Sequence, residues 1–153
     1  MKKVRFLGYL WATLLIALLV GCGKQAAGPA AGGIPDNAAL KVTGNVDNEV
    51  GWTEDQVRAM DTIDAQSTNK AGETSTYTGV LITNLLDLAG VPSGASTVTF
   101  VADDGFTAEA ALSDVQACTD CIVSFRNQGG FSVVMPGFPG SLQVKGVVEI
   151  QVQ

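Results

Sequence analysis

The 153-residue chain contains no histidine. This absence excludes Ser-His-Asp and Cys-His nucleophilic catalysis, histidine-ligated zinc and histidine-ligated haem, because each of them needs an imidazole as a base or a ligand. The C-x-x-C pair of Cys118 and Cys121 is followed by Ile122, so the C-x-x-C-H pattern of covalent haem attachment is excluded as well.

Basic and aromatic residues are scarce. Three of the nine lysines and arginines lie among the first five residues, and without residues 1 to 21 six basic residues would face 15 acidic ones, a net charge of −9. A surface this negative repels nucleic acid and anionic lipid headgroups, so we predict no nucleic-acid partner. Aromatic residues make up 7% of the chain, which leaves no stacking platform for sugars or bases.

The N-terminus has the features of a bacterial lipoprotein signal peptide. Three positive charges flank or precede an apolar run of 15 residues, from 6 to 20, which is shorter than the about 20 residues of a bilayer-spanning helix. The run ends in LVGC, which resembles a lipobox. The resemblance implies cleavage before Cys22 and acylation of Cys22, so that acyl chains hold the protein at a membrane. The alternative is an ordinary signal peptide or an uncleaved anchor that happens to contain Cys22.

This start predicts three regions. Residues 1 to 21 form the signal peptide, residues 22 to 37 a lipidated flexible tether, and residues 38 to 153 one folded domain. The tether is assigned because GKQAAGPAAGGIPDN is rich in Gly, Ala and Pro and has no apolar periodicity. We therefore expect an exported protein that is lipid-anchored at the cell envelope, on the outer or the cytoplasmic membrane, and faces away from the cytoplasm.

The pattern of the domain predicts about eight short strands and two short helices, an α+β class dominated by strands. Thr53 with Gln56 three residues later indicates a capping box for the first helix. The second helix, in LITNLLDLAGVP, is stopped by Gly90 and Pro92. Asp104-Gly105 marks the turn of a hairpin, and Ser113 is predicted to cap a single helical turn, DVQA.

The order of these pieces resembles the molybdopterin-binding domain of the sulfite-oxidase type of molybdenum oxidoreductase. The resemblance covers residues 39 to 152. It implies a core of mixed sheets and is carried by five stretches in order: LKVTGNV, WTEDQVRAM, YTGVLITNLLDLAGV, FVADDGFTAEAALSDV and VMPGFPGSLQVKGVVEIQV.

The cofactor residues that the resemblance implies are largely missing. The family holds its molybdenum by a cysteine located between the strand after the first helix and the T-G-V segment, and here that interval, TIDAQSTNKAGETST, has no cysteine. The family also uses arginine and histidine, but Arg58 and Arg126 lie outside the interval. Lys145 falls where the family commonly places a basic cofactor contact; the alternative is a surface lysine at a strand start. We therefore expect the fold without the metal site and no bound cofactor, with molybdopterin as the alternative.

Cys118 and Cys121 admit three interpretations. Residues three apart on a turn can reach disulfide geometry, with Cα atoms about 5 to 6 Å apart. Two buried free thiols, or a redox or metal role, are the alternatives. The close carboxylate pairs, Asp103-Asp104 and Asp61 with Asp64, indicate turn chemistry and surface charge rather than acid–base catalysis.

The sequence thus favours a lipid-anchored, non-catalytic binding or accessory module for an envelope protein or a small ligand. The second hypothesis is a molybdopterin-dependent oxidoreductase subunit whose cofactor site is atypical or shared. The third is a thiol-disulfide protein that uses Cys118 and Cys121.

Overall fold

The computed structural model describes residues 33 to 153. The predicted signal peptide and the predicted lipidation site, Cys22, lie outside these residues. Within the described range, no helix has both the length and the apolar character needed to cross a bilayer.

Within residues 33 to 153, nine short strands form two sheets. The strands are β1 Leu40–Gly44, β2 Val50–Trp52, β3 Ile63–Thr68, β4 Thr74–Leu81, β5 Thr97–Ala102, β6 Thr107–Ala111, β7 Ile122–Phe125, β8 Phe131–Val134 and β9 Val147–Val152. One sheet has five strands in the order β2-β1-β9-β5-β6, and the other has four in the order β3-β4-β7-β8. In the first, β1 and β9 are parallel and the other neighbours antiparallel; the second is antiparallel throughout.

In this described part of the chain, three short helices and one 3-10 turn connect the strands. They are α1 Glu54–Arg58, α2 Ile82–Ala89, α3 Leu112–Ala117 and the 3-10 turn Gly140–Leu142. The capping box of Thr53 and Gln56 begins α1 as predicted, and α2 ends at Gly90, whose φ of 72° is the left-handed conformation that glycine adopts without strain.

The start of α3 differs from the prediction. The helix begins at Leu112, and Ala111 before it makes no side-chain cap, so the prediction that Ser113 caps this turn is wrong. Leu112 is buried, and its packing in the core fixes the point where β6 turns into the helix. Packing has outweighed the capping preference here.

The main core contains residues from both sheets and from all three helices. Along β5 every second residue is buried, as expected for a strand with one face on the core. The largest fully buried side chains, Trp52, Phe100 and Phe131, come from three different strands. Burial of each large apolar side chain stabilises the fold by about 1.5 to 3 kcal/mol.

Strand β2 was not predicted. It is three residues long, VGW, and pairs with β1 from Val50 to Trp52. A run this short shows no alternation that a sequence pattern can reveal. On its other side Gly33 forms a parallel bridge with Val50. The described contacts of the domain therefore begin inside the segment that the sequence assigned to the tether.

Candidate functional site

The hairpin of β3 and β4 extends beyond the rest of its sheet. Six residue pairs join the two strands, but β7 joins β4 only at the three pairs from Gly79 to Leu81. From Thr74 to Thr78 every side chain of β4 is exposed, on both faces. We call residues 64 to 78, the part of this hairpin beyond the contact with β7, the arm.

Gly79 is the point where the arm leaves the sheet. A Cβ atom at Gly79 would lie 2.6 Å from the Cα atom of Ser124 and closer still to the carbonyl oxygen of Val123. Only glycine lets β4 pass this close to the backbone of β7. This glycine belongs to the T-G-V segment of the sequence, and it lets β4 pack directly against the backbone of β7 at the point where the arm begins.

A cleft of about 880 Å³ lies between the arm and the strand β8 with the loop that follows it. The arm contributes mainly hydroxyl and amide groups, and the opposite wall contributes apolar groups. The cationic groups on its lining are Lys70 and Lys145, and Glu73 carries the opposing charge. The lining residues are Gln66, Ser67, Thr68, Asn69, Lys70, Glu73, Ser75, Tyr77, Ser132, Val133, Val134, Pro136, Gly137, Phe138, Gly140, Gln143 and Lys145.

The loop that forms the far wall is held by one side chain. The amide of Gln143 donates to the carbonyl oxygen of Met135 at 2.7 Å and accepts from the N–H of Met135 at 3.1 Å. This pair of hydrogen bonds closes the Pro/Gly loop into an arch. The side chain of Gln143 therefore shapes the wall, and its polar atoms already have protein partners.

Lys145 lies on the edge of the cleft. It is exposed, and its backbone forms a bridge with Ser132. The two ion pairs within residues 33 to 153 are Lys41 with Glu149 and Arg58 with Glu54, so the Lys145 ammonium group faces the cleft and solvent.

Two distant stretches that the sequence analysis singled out meet at this cleft. The interval TIDAQSTNKAGETST supplies most of the arm, and Lys145 lies about 70 residues later on the opposite side. The sequence analysis missed Tyr77 and Phe138 as lining residues. Tyr77 is 38% exposed, which is high for an aromatic ring, but exposure is not readable from sequence.

The two arginines of the described range do not reach this cleft. Arg58 pairs with Glu54 at 2.7 Å, and its guanidinium carbon lies 4.8 Å from the centre of the Phe125 ring. Arg126 lines a separate hollow of about 340 Å³ together with Asp103. The guanidinium of Arg58 and the N–H of Gly130, both hydrogen-bonded to Glu54, lower the pKa of that carboxyl below its ordinary value of 4.5.

Cys118 and Cys121 form a disulfide, with Cα atoms 5.6 Å apart. They group with Asp120, but sulfur atoms bonded to each other offer no thiolate to a metal. Cys118 is the residue that ends α3, so no helix N-terminus stabilises a thiolate there. Of the three interpretations of this pair, the disulfide is the one that is present in the structure.

Two of the four carboxylates singled out in the sequence, Asp104 and Asp64, serve local structure. Asp104 accepts a hydrogen bond from the N–H of Phe106 at 2.9 Å, the contact that shapes a tight turn. Asp64 accepts one from the hydroxyl of Thr78, across the arm. Neither carboxylate lines the cleft.

The lining does not fit a molybdenum centre. No cysteine, histidine or arginine lines the cleft, and both cysteines of the described range are joined in the disulfide. A metal of this kind needs a soft thiolate ligand, and an anionic pterin phosphate needs several fixed donors. Two lysines opposed by Glu73 provide neither.

Comparisons with known proteins agree with the fold. No family model and no curated protein matches the chain. Among solved structures, the sulfane dehydrogenase SoxCD from Paracoccus pantotrophus superposes with a TM-score of 0.62 at 18% identity, over 74% of this chain and 37% of that one. This chain thus spans little more than a third of that protein's length. At this identity the likeness concerns the fold alone, and it confirms the predicted class, a β-dominated α+β domain like the sulfite-oxidase-type molybdopterin-binding core.

Proposed function

We propose that this chain is a lipid-anchored envelope protein in which a molybdenum-oxidoreductase fold serves as a non-catalytic binding module. The cleft between the arm and β8 is the observation that carries the proposal. It has the volume of a ligand site, about 880 Å³, yet its lining lacks a thiolate, an imidazole and a guanidinium. The cleft thus has the space of a ligand site without the soft ligands that a molybdenum centre needs.

The lining favours a polar ligand or a partner segment of low charge. Ser67, Ser75 and Ser132 offer hydroxyl groups, and Tyr77 and Phe138 offer ring surface. A strongly anionic cofactor meets only two lysines here, in a chain whose acidic residues outnumber its basic ones. Electrostatics therefore disfavours such a cofactor.

The location at a membrane is proposed from the sequence. Acylation of Cys22 would leave ten residues between the lipid and Gly33, which reach at most about 35 Å when fully extended. The domain would then stay close to the membrane surface, where an envelope partner is accessible. Replacing Cys22 by Ser tests this: labelled palmitate should enter the unmodified chain and not the Cys22→Ser variant.

The experiment that tests the binding role is purification of the chain from cells that make the molybdenum cofactor. Elemental analysis and a pterin fluorescence assay should find neither molybdenum nor pterin in stoichiometric amount. Stoichiometric molybdenum would overturn the proposal. A molybdenum enzyme purified in parallel from the same cells shows that the cofactor was supplied.

A second function, an oxidoreductase subunit with a shared cofactor site, is favoured by one observation. The chain covers 37% of the SoxCD chain, so a second chain has room to supply the missing groups. Under this alternative, molybdenum would copurify with the chain only when its partner is present. Elemental analysis of the chain recovered under mild conditions from its own cells, where the partner is present, distinguishes this alternative from the non-catalytic binding module.

A further inference from the structure

The outer edge of β3 is an open sheet edge six residues long. Within residues 33 to 153 no strand pairs with it, because β3 is the first strand of its sheet and β4 occupies its other side. It contains no proline and no lysine, and Asp64 is its single charge. Proteins usually shorten, charge or cover such an edge, because it offers unpaired backbone groups to another strand.

The other terminal strands of the two sheets are covered or short. The N–H of Val133 in β8 donates to the carbonyl oxygen of Val144 at 2.7 Å, which covers that edge. Gly33 bridges to β2, and the 3-10 turn packs against β6, whose exposed edge carries Glu109. The edge of β3 is neither covered nor short, so its backbone groups are available to a further strand.

The backbone groups that point away from the domain can be assigned. The N–H of Asn69 donates to the carbonyl oxygen of Glu73 at 2.9 Å, which makes that pair a hydrogen-bonded one. Pairs alternate along an antiparallel ladder, so Gln66 with Thr76 is a non-hydrogen-bonded pair. The N–H and C=O groups of Asp64, Gln66 and Thr68 therefore point outward, away from β4.

We infer that a second copy of this chain pairs with this edge, with the two β3 strands antiparallel about a two-fold axis at Gln66. In this register Gln66 faces Gln66 of the other copy, and Asp64 faces Thr68. Each of the three facing pairs is of the hydrogen-bonded type, so six backbone hydrogen bonds form. The contact is isologous and closes on itself.

Charge selects this partner and this register. The arm carries Asp64, Lys70 and Glu73, a net charge of −1, so two arms repel each other little although the chain as a whole is acidic. Like charges do not face each other, since Asp64 lies opposite a threonine. In the same register Lys70 of each copy would lie opposite Thr62 of the other, next to Asp61, so charges of opposite sign lie near both ends of the contact.

The pairing would also stabilise the exposed arm. A two-stranded ribbon alone is at best marginally stable in water, and three or more strands are needed for independent stability. Two arms joined through β3 make a ribbon of four strands. The contact goes beyond the function proposed for the cleft. Gln66 and Thr68 of β3 also line the cleft, but the pairing uses the backbone groups on the outer edge of β3, so it does not depend on what the cleft binds.

Cysteine cross-linking of the full chain in cells tests the register. Gln66→Cys places two thiols at the two-fold axis, where facing Cα atoms about 5.5 Å apart are within disulfide range. Thr76→Cys is the matched control, because Thr76 is the cross-strand neighbour of Gln66 and equally exposed. Non-reducing gels should show a dimer for Gln66→Cys and not for Thr76→Cys. A dimer for neither, for both equally, or for Thr76→Cys alone would overturn the inference.

A proline pair tests the backbone hydrogen bonds. Gln66→Pro and Thr76→Pro each remove an N–H that points away from the other strand of the arm, so both leave the β3–β4 ladder intact. Only Gln66 lies on the proposed interface. When two differently tagged copies of the full chain are co-expressed, Gln66→Pro should lose co-precipitation while Thr76→Pro retains it. Equal retention, or equal loss with unchanged thermal unfolding, would contradict the pairing.

Discussion

The five-stranded sheet and the arm are built from similar strands but are held in different ways. Strand β5 lies between two neighbours, and every second side chain is buried in the main core. In the arm β3 and β4 pair only with each other, and Ala65 is the one buried side chain of these strand segments. The five-stranded sheet therefore contributes most to the free energy of unfolding, and the arm contributes mainly exposed surface.

The contacts on the two surfaces also differ in kind. On the outer face of the five-stranded sheet, Glu149 accepts from the Thr43 hydroxyl at 2.7 Å and pairs with Lys41 at 3.0 Å. Across the arm, Thr68 and Thr74 share a hydroxyl contact of 2.8 Å in full exposure to water. Cross-strand pairs of this exposed kind contribute about 0.2 to 1 kcal/mol each. The arm can thus be changed at little loss to the fold.

The largest expected effect separates the two regions directly. Phe100→Ala empties part of the main core, where Phe100 is fully buried, and should lower the free energy of unfolding by about 3 to 5 kcal/mol. Tyr77→Ala in the arm should lower it by less than about 1 kcal/mol, since the ring is 38% exposed. Urea unfolding measures both. Equal losses would show that the arm belongs to the cooperative core.

The junction between the two regions comes next. Gly79→Ala forces a methyl group against the backbone of β7 and should cost about 1 to 3 kcal/mol of unfolding free energy. Gly94→Ala is the matched control, because a Cβ there meets nothing within 4 Å and its φ is not in the left-handed region. It should be neutral or slightly stabilising. Similar effects of both substitutions would mean that β4 does not need glycine to leave the sheet.

Reduction of the disulfide should have a smaller effect. The bond joins residues three apart, and a loop this short limits the gain to about 2 kcal/mol on the chain-entropy estimate. Thermal unfolding with and without a thiol reductant measures it, and the Cys118→Ser, Cys121→Ser double variant, which should not respond to the reductant, is the control. An unchanged midpoint together with loss of the cellular role would instead favour the thiol-disulfide hypothesis.

Much of the fold was readable from the sequence because its signals are local. The capping box at Thr53, the stop at Gly90 and the turn at Asp104 each depend on a few neighbouring residues. Two features depended on distant packing and were not readable. Leu112, not Ser113, sets the start of α3, and the three residues of β2 form a strand only because β1 and Gly33 lie on either side.

The candidate site was readable only in part. The sequence showed that the interval before Gly79 has no cysteine, and it singled out Lys145 as either a basic cofactor contact or a surface lysine. It did not show that the interval and Lys145 line one cleft, because that depends on how the arm and the loop after β8 lie in the fold. The sequence also did not show that β3 is an edge strand with no further partner in the described residues, since an edge strand and a central strand can have the same sequence pattern.

The smallest expected effect is the dependence of stability on pH. Burial raises the pKa of Glu149, but hydrogen bonds from Thr43, Lys41 and Gln151 outweigh it and leave this pKa below its ordinary value of 4.5. A pKa lower in the folded than in the unfolded state means that the unfolded chain binds more protons as the pH falls. The stabilisation by Glu149 is therefore present above about pH 4.5 and lost as the pH falls through the folded pKa.

Glu149→Gln should accordingly reduce stability at pH 7 and differ less from the unmodified chain at pH 3. Urea midpoints at pH 7, 5, 4 and 3 measure this convergence. Glu109→Gln is the control, since Glu109 is an exposed carboxylate on an edge strand of the same sheet and takes part in neither ion pair of the described residues. Its curve should run parallel to that of the unmodified chain. A difference in urea midpoint between Glu149→Gln and the unmodified chain that stays constant or widens toward pH 3 would contradict this. It would show that lost packing, and not the charge of the carboxylate, accounts for the effect of the substitution. The outer face of the five-stranded sheet would then resemble the arm more than the core.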